Sequence, residues 1–327
     1  MKNILIIRLS SIGDILHTFT LLPDIKNALP DAKIDWLVDS NFRGIAELSP
    51  LIDNIISIPL RRWKINKFTW LFKLLQFKKN LPNKRYDYII DTQGLLKSAV
   101  LAKLLFNGPI YGLDKNSARE RLSSYFYDHC YQVEQNNVAV VRLRGLVAKI
   151  FESKQSLLDI DFRIKTSNYS IKSQTGYVLY LHGTSKAAKK WPLANWLELS
   201  NWLLLNSNKE LVLTYSNPAE FNFSQELALS LNNPRLKIIP QLEFAKLSDL
   251  VNQADLVIGV DTGFTHLANL LGKATLAIYL HSRPEYVGML ESAIAHNFGG
   301  YACSVSARQL IDYIQKNKLL SSYELGD

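Results

Sequence analysis

At 327 residues, 47% hydrophobic and 20% charged, the chain can bury two cores of ordinary size, because domains run to about 100–200 residues. Its only cysteines, Cys130 and Cys303, lie far apart and in no ligand spacing, which argues against a disulfide framework or a cysteine zinc site and fits a reducing cytoplasm. The net charge of +9 belongs to residues 1–165, which hold 25 Lys/Arg against 16 Asp/Glu, whereas residues 166–327 hold 13 of each. Such a basic half implies an anionic partner (phosphorylated substrate, membrane surface or nucleic acid), with a solvated basic surface as the plain alternative.

The chain opens on NILIIRL, a buried-strand pattern whose apolar run is too short for a signal-peptide core, and no uninterrupted apolar run approaches membrane-spanning length. SSIGD then leads into the periodic ILHTFTLLPDIKNAL, which reads as loop and helix. KIDWLVD is a strand, residues 43–48 a short helix, NIISIPL a strand and KFTWLFKLLQFKKNL an amphipathic helix. YDYIIDTQG gives strand and loop, followed by a helix over 98–105, a short strand over 109–112 and a helix over 138–151. The polar, aperiodic RIKTSNYSIKSQTG reads as a connection, which sets domains at 1–165 and 177–327 with a linker at 166–176. The alternation restarts with YVLYLHGTS, a helix over 196–205, ELVLTYS, a helix over 223–231, KIIP and a helix over 246–253. DLVIGVDTG, THLANLL, TLAIYL and a last helix over 306–316 complete it, the last helix being free to pack back on the first domain. Short apolar strands alternating with helices imply parallel sheets covered on both faces. The fold expected is α/β, two doubly wound Rossmann-like domains facing across a cleft.

In open parallel sheets, ligands bind outside the carboxyl ends of the strands, so four polar loops stand out. The first holds Ser10, Ser11, Gly13 and Asp14, a set that helix capping alone also explains; no GxGxxG accompanies it, so a dinucleotide fingerprint is unsupported. The second runs from His182 through Gly183, Thr184 and Ser185 to Lys189, Lys190 and Trp191, and its hydroxyls, glycine and lysines suit a phosphate. The third sets Asp261, Thr262 and Gly263 after the buried DLVIGV, with His266 one turn into the next helix. Capping explains one of those residues but not the set. The fourth comprises Gln93, Gly94 and Lys97 after YIID, with Arg119 further along in a polar connection. Residues 54–86 contain no acid but nine Lys/Arg, among them Arg61, Arg62 and Lys64, interleaved with aromatics. That composition suits an amphipathic membrane-surface helix, a face for phosphate and carboxylate groups, or a nucleic-acid stripe.

Taken in order, SSIGDILHT, PLRRW, DTQGLLKSA, SARE, HGTS with KKWP, and VDTGFTHL span nearly the whole chain. Together they resemble the ADP-heptose:lipopolysaccharide heptosyltransferase family, glycosyltransferase family 9; RRW, QGLxKSA and SARE push toward its type I branch. The resemblance implies the two-domain GT-B architecture and an inverting, metal-independent glycosyltransferase that needs no cofactor. ADP-L-glycero-D-manno-heptose is then the donor, held by the C-terminal domain, and Kdo-bearing lipid A the acceptor, held by the N-terminal one. It implies Asp14 as general base, with Lys189 and Asp261 completing the catalytic set. Thr184, Ser185, Lys189 and the Thr262 and Gly263 backbone would take the diphosphate, Glu220 the ribose, and Asp261 the heptose or the phosphate loop, supported by His266. Ser10, Gly13, Arg61, Arg62, Lys64, Gln93, Lys97 and Arg119 would line the acceptor side. The implied location is cytoplasmic, peripheral on the inner face of the inner membrane, with no nucleic-acid partner. Two places depart from the family pattern: Val138 stands where type I tends to carry histidine, and residues 280–284 replace a Gly-Pro-Thr-like turn. Competing expectations are transfer of a later heptose onto an already heptosylated core, and a non-catalytic anion- or membrane-binding protein.

Overall fold

The computed structural model describes residues 1–63, 70–154, 156, 158–184 and 186–320. It divides into two compact units, Met1–Lys165 and Thr166–Asp327. In the first, strands β1 (Asn3–Ile7), β2 (Lys33–Asp39), β3 (Asn54–Ile58), β4 (Tyr88–Asp91), β5 (Ile110–Leu113) and β6 (His129–Tyr131) form one sheet in the order β3-β2-β1-β4-β5-β6. In the second, β7 (Tyr177–Leu181), β8 (Glu210–Thr214), β9 (Leu236–Ile239), β10 (Leu256–Val260), β11 (Ala274–Tyr279) and β12 (Ala295–Gly299) take the order β12-β11-β10-β7-β8-β9. All neighbours in both sheets are parallel. Read from opposite ends the two orders are the same, and in each the winding reverses between the first and fourth strands, where a doubly wound sheet opens a crevice.

The central strands are apolar throughout because helices cover both faces. Ile4, Leu5, Ile6 and Ile7 of β1 are wholly buried, as are Leu256, Val257, Ile258 and Val260 of β10. Each such side chain contributes about 1.5–3 kcal/mol of burial free energy. The two strands without a sequence signal are edges: HCY in β6 and AHNFG in β12 each pair on one side only and carry polar residues. Polar groups also tie the first unit together. Arg144 on helix Ala139–Ile150 meets Asp24 on helix Leu22–Ala28 through two bonds of 2.7 Å, both side chains being buried. Buried Asp35 accepts from Asn54, Lys84 and Tyr86 at 2.7–2.9 Å.

Both ends of the second unit are anchored on it. In the stretch 166–176, the N–H groups of Ser167 and Tyr169 and the Ser167 hydroxyl all donate to Asp249 Oδ2, at 2.6–2.9 Å. The last helix, Ala307–Lys316, places Ala307, Leu310, Ile311 and Ile314 in the second unit's own core. Among the described residues no helix is long and apolar enough to cross a membrane.

Candidate active site

In the first unit the reversal of winding falls between β1 and β4, and the loops leaving these strands interlock. Ser11 is the N-cap of helix Ile12–Phe19 and Asp14 its third residue. Asp14 Oδ2 accepts from the Ser11 N–H at 3.0 Å and the Ser11 hydroxyl at 3.1 Å, which is the capping duty the short motif suggested. Capping does not account for the other oxygen. Arg8, the residue after β1, is buried, and its guanidinium reaches Asp14 Oδ1 at 2.7 Å while also donating to the Thr92 carbonyl on the β4 loop. The Gln93 amide oxygen closes the same crevice from β4, accepting from the Leu9 N–H at 2.9 Å. Burial pushes the Asp14 carboxyl upward, but the Arg8 guanidinium and the Ser11 donors outweigh it and hold it at about 2. Asp14 is therefore an ionised acceptor at neutral pH, and 37% of its side chain remains exposed. A second guanidinium, Arg142 on helix Ala139–Ile150, lies close enough to feel both charges; burial and Arg8 lower its pKa, and Asp14 opposes them.

The other first-unit candidates described fall into three groups. The β5 loop docks on the β4 loop: Glu120 N–H donates to the Gly94 carbonyl at 3.0 Å, and the Glu120 carboxylate accepts from the Leu96 N–H at 2.7 Å. Gly94 sits at φ +62°, a left-handed conformation that L side chains rarely adopt, so glycine permits this turn. Gln93, exposed Lys97 and exposed Arg119 are brought together by this docking. Ser10 lies in the β1 loop before the N-cap, and Gly13 precedes Asp14 in the first turn of helix Ile12–Phe19. Arg61 and Arg62 lie apart, exposed on helix Leu60–Trp63 after edge strand β3, with the Arg61 guanidinium 4.9 Å from the Phe42 ring centre. Lys64 lies outside the described residues, as does Ser185 of the second unit.

In the second unit the reversal falls between β7 and β10. Asp261 follows β10, and Thr262 caps helix Gly263–Leu270, whose first N–H groups face the carboxyl end of the sheet with the positive end of the helix dipole. Lys189 from the β7 loop and the Ser282 hydroxyl from beyond β11 both donate to Asp261 Oδ2, and His266 Nε2 stands 3.8 Å from Oδ1. Burial would raise the Asp261 carboxyl, yet His266, Lys189 and Ser282 together drive it well below the usual carboxylate range. Asp261 thus gathers Lys189, His266 and Ser282 into one cluster beside the helix start. Glu220 belongs to helix Pro218–Leu231 and reaches back to the β7 loop; a Cβ on Gly183 would fall 2.6 Å from its carboxyl carbon. Thr184 is half-buried in that loop. Among the described residues no group of three His, Cys, Asp or Glu is set to hold a metal ion.

Arg8 and Ser282 were missed in the sequence. An arginine ending a buried apolar run is a usable signal, because burial of a charge demands a partner. Ser282 lies in the turn that departs from the family pattern and still delivers a hydroxyl to the Asp261 carboxylate.

Two doubly wound domains of this strand order, each with polar loops at the reversal, define the GT-B class of glycosyltransferases. Residues 74–311 match glycosyltransferase family 9 (heptosyltransferase), and the chain belongs to that family. It is 31% identical over 321 residues to lipopolysaccharide heptosyltransferase 1 of Pseudomonas aeruginosa, covering 95% of this chain and 88% of that one. The enzyme of the same designation from Escherichia coli O18:K1:H7 is 32% identical over 290 residues, 88% of each chain. The solved structure of E. coli heptosyltransferase WaaC with ADP superposes with a TM-score of 0.83 at 28% identity, covering 96% of this chain and 99% of that one.

Proposed function

We propose that this enzyme transfers heptose from ADP-L-glycero-D-manno-heptose to a Kdo residue of Kdo-lipid A, with inversion at the anomeric carbon. The observation that carries the reading is the contrast between the two reversal points. One presents an ionised carboxylate, Asp14, in a basic domain; the other presents Lys189 and a helix start beside Asp261. That division suits a reaction whose nucleophile must lose a proton and whose leaving group is a diphosphate.

In this mechanism the acceptor hydroxyl attacks the anomeric carbon as the bond to the ADP oxygen breaks, and the electron pair departs with ADP. Asp14 takes the hydroxyl proton. At about 2 its affinity for protons is low, so transfer comes late, after the forming C–O bond has made the hydroxyl strongly acidic. Lys189, Thr184, Ser185 and the N–H groups of Thr262 and Gly263 stabilise the charge that develops on the diphosphate. Asp261 holds Lys189 and Ser282 in place and faces the transferred sugar, with His266 behind it. Glu220 receives the ribose. These cations and donors take the part that a divalent metal would otherwise play, and undiminished activity in excess chelator is the check.

Arg61, Arg62, Lys64, Lys97 and Arg119, with Ser10, Gly13 and Gln93, bind the carboxylate and phosphate groups of the acceptor, arginine suiting bidentate contact with either. Helix Trp70–Lys79 exposes Phe72 and Leu75 among Lys73, Lys78 and Lys79, a composition suited to the anionic inner face of the cytoplasmic membrane, where the lipid acceptor resides. The test is mass spectrometry of defined acceptors after incubation with ADP-heptose. Kdo-lipid A should gain one heptose; gain only by an already heptosylated acceptor would replace this reading with the later transfer.

A further inference from the structure

His182 is a buried titratable side chain that the mechanism above leaves without a role. It follows β7 directly, at the reversal point of the second sheet, and only 6% of it is exposed. Its Nε2 lies 3.0 Å from the Ser224 hydroxyl and 3.3 Å from the Glu220 carbonyl, and its ring packs on Phe223 with centroids 4.8 Å apart. Ser224 Oγ is itself 3.0 Å from the Glu220 carbonyl. One proton arrangement satisfies every donor: the Ser224 hydroxyl donates to the Glu220 carbonyl, and Nε2–H donates to the Ser224 oxygen. Nδ1 is then a bare acceptor, consistent with its being buried and without a hydrogen-bond partner. Burial pushes the imidazole down to about 4, against the pull of Glu220, so the ring is neutral at pH 7 and brings no charge to a site for anions.

The side chain of the same Glu220 is held by its own turn. Its Oε2 accepts from the Ser216 N–H at 2.7 Å and the Ser216 hydroxyl at 2.8 Å. Its backbone N–H is capped by Asn217 Oδ1 at 3.0 Å. Gly183 leaves the space in which the carboxyl lies against the β7 loop. Oε1 takes no hydrogen bond from any described residue. The carboxylate is therefore fixed in direction with one oxygen unspent, and the sole side-chain hydrogen bonds described between the β7 loop and the Glu220 turn are those of His182.

We infer that His182 is a positioning residue that locks the first turn of helix Pro218–Leu231 to the β7 loop, so that the unspent oxygen of Glu220 meets the vicinal hydroxyls of the donor's ribose. This rests on the proposed donor reading and adds to it the element that makes the ribose contact selective. A neutral imidazole suits the task because it supplies a directed donor without competing with Lys189 for the diphosphate. Its removal costs ribose recognition and leaves diphosphate recognition intact.

The experiment measures, by calorimetry, the affinities of ADP and 2′,3′-dideoxy-ADP for the wild-type protein and for His182→Phe and His182→Gln. Phenylalanine keeps the ring volume without the donor; glutamine returns an N–H near the position of Nε2. The wild-type protein should prefer ADP by about 10-fold or more, the scale of hydrogen bonds to a charged group. His182→Phe should lose most of that preference through weaker ADP binding, with dideoxy-ADP bound as before, and His182→Gln should recover much of it. The kinetic loss should fall on donor KM rather than on kcat. An equal loss for both nucleotides in His182→Phe, which marks general damage to the loop, overturns the inference, and so does a preference kept in full. A wild-type protein that binds both nucleotides equally instead overturns the Glu220 assignment beneath it.

Discussion

Replacing Lys189 with methionine separates two roles that its geometry combines. Methionine keeps most of the apolar stem and removes only the charge. The ammonium contacts Asp261 Oδ2, and the Asp261 side chain is 12% exposed, so its loss strands a nearly buried carboxylate that retains Ser282 and His266. Leaving such a group undersatisfied costs about 1–3 kcal/mol, which in a unit of this size lowers Tm by roughly 2–4 °C per kcal/mol. Turnover should fall much further. Removing one preorganised donor from developing charge costs about 10²–10³ in kcat. Pairing Lys189→Met with Asp261→Asn distinguishes the two effects, because the neutral amide no longer needs a cation. Scanning calorimetry should show Tm recovering toward the wild-type value, while transfer to Kdo-lipid A stays at or below the rate of the single variant. If the double variant regained near-wild-type transfer, Lys189 would be only a structural counter-ion and the stabilisation assigned to it would be wrong.

Three further expectations follow from the first unit. Asp14, held at about 2 with an ordinary value near 3.8, has a lowered folded-state pKa, so its ionised form is kept until the pH falls through about 2. A kcat/KM profile should therefore show no Asp14 limb between about pH 5 and 8, whereas Arg8→Gln, which leaves the upward push of burial less opposed, should bring one up from below. A wild-type acid limb in that range that moves on Arg8 substitution would contradict this. Asp24→Asn breaks the buried pair with Arg144 and should cost about 3–5 kcal/mol of first-unit stability, read as a drop in the denaturant midpoint; a change below about 1 kcal/mol would show the pair to be incidental. Arg61→Ala and Arg62→Ala should weaken Kdo-lipid A binding, more so at low salt, with ADP affinity kept; equal loss of ADP affinity would remove both from the acceptor side.

The parts of the fold that were legible are those where burial dictates composition. NILII and DLVIGV read as strands because a parallel strand covered on both faces must be apolar at every position. HCY and AHNFG did not, since an edge strand is held by one neighbour and tolerates polar residues. Helix Pro218–Leu231 begins five residues before the apolar periodicity at 223, because Asn217 and Pro218 start it by capping rather than by burial. Within the sites, Asp14 and Asp261 stood out as polar residues directly following apolar strands. What they bond to did not. Arg8 finds the Thr92 carbonyl 84 residues away, and Ser282 reaches Asp261 across 21, pairings that exist only once the sheet has ordered its strands. His182 shows the same limit: its motif was visible, and its contact with residue 220 was not.

The central claim is that Asp14 accepts the proton from the acceptor while the second unit, independently, holds the donor. The direct measurement is the single-turnover rate of heptose transfer to Kdo-lipid A by Asp14→Asn, with ADP affinity determined on the same preparation. Asparagine is nearly isosteric, and its amide oxygen can still accept from Ser11. Transfer should fall by about 10²–10⁴, with ADP bound as in the wild type. Transfer within a few-fold of the wild-type rate would contradict the claim.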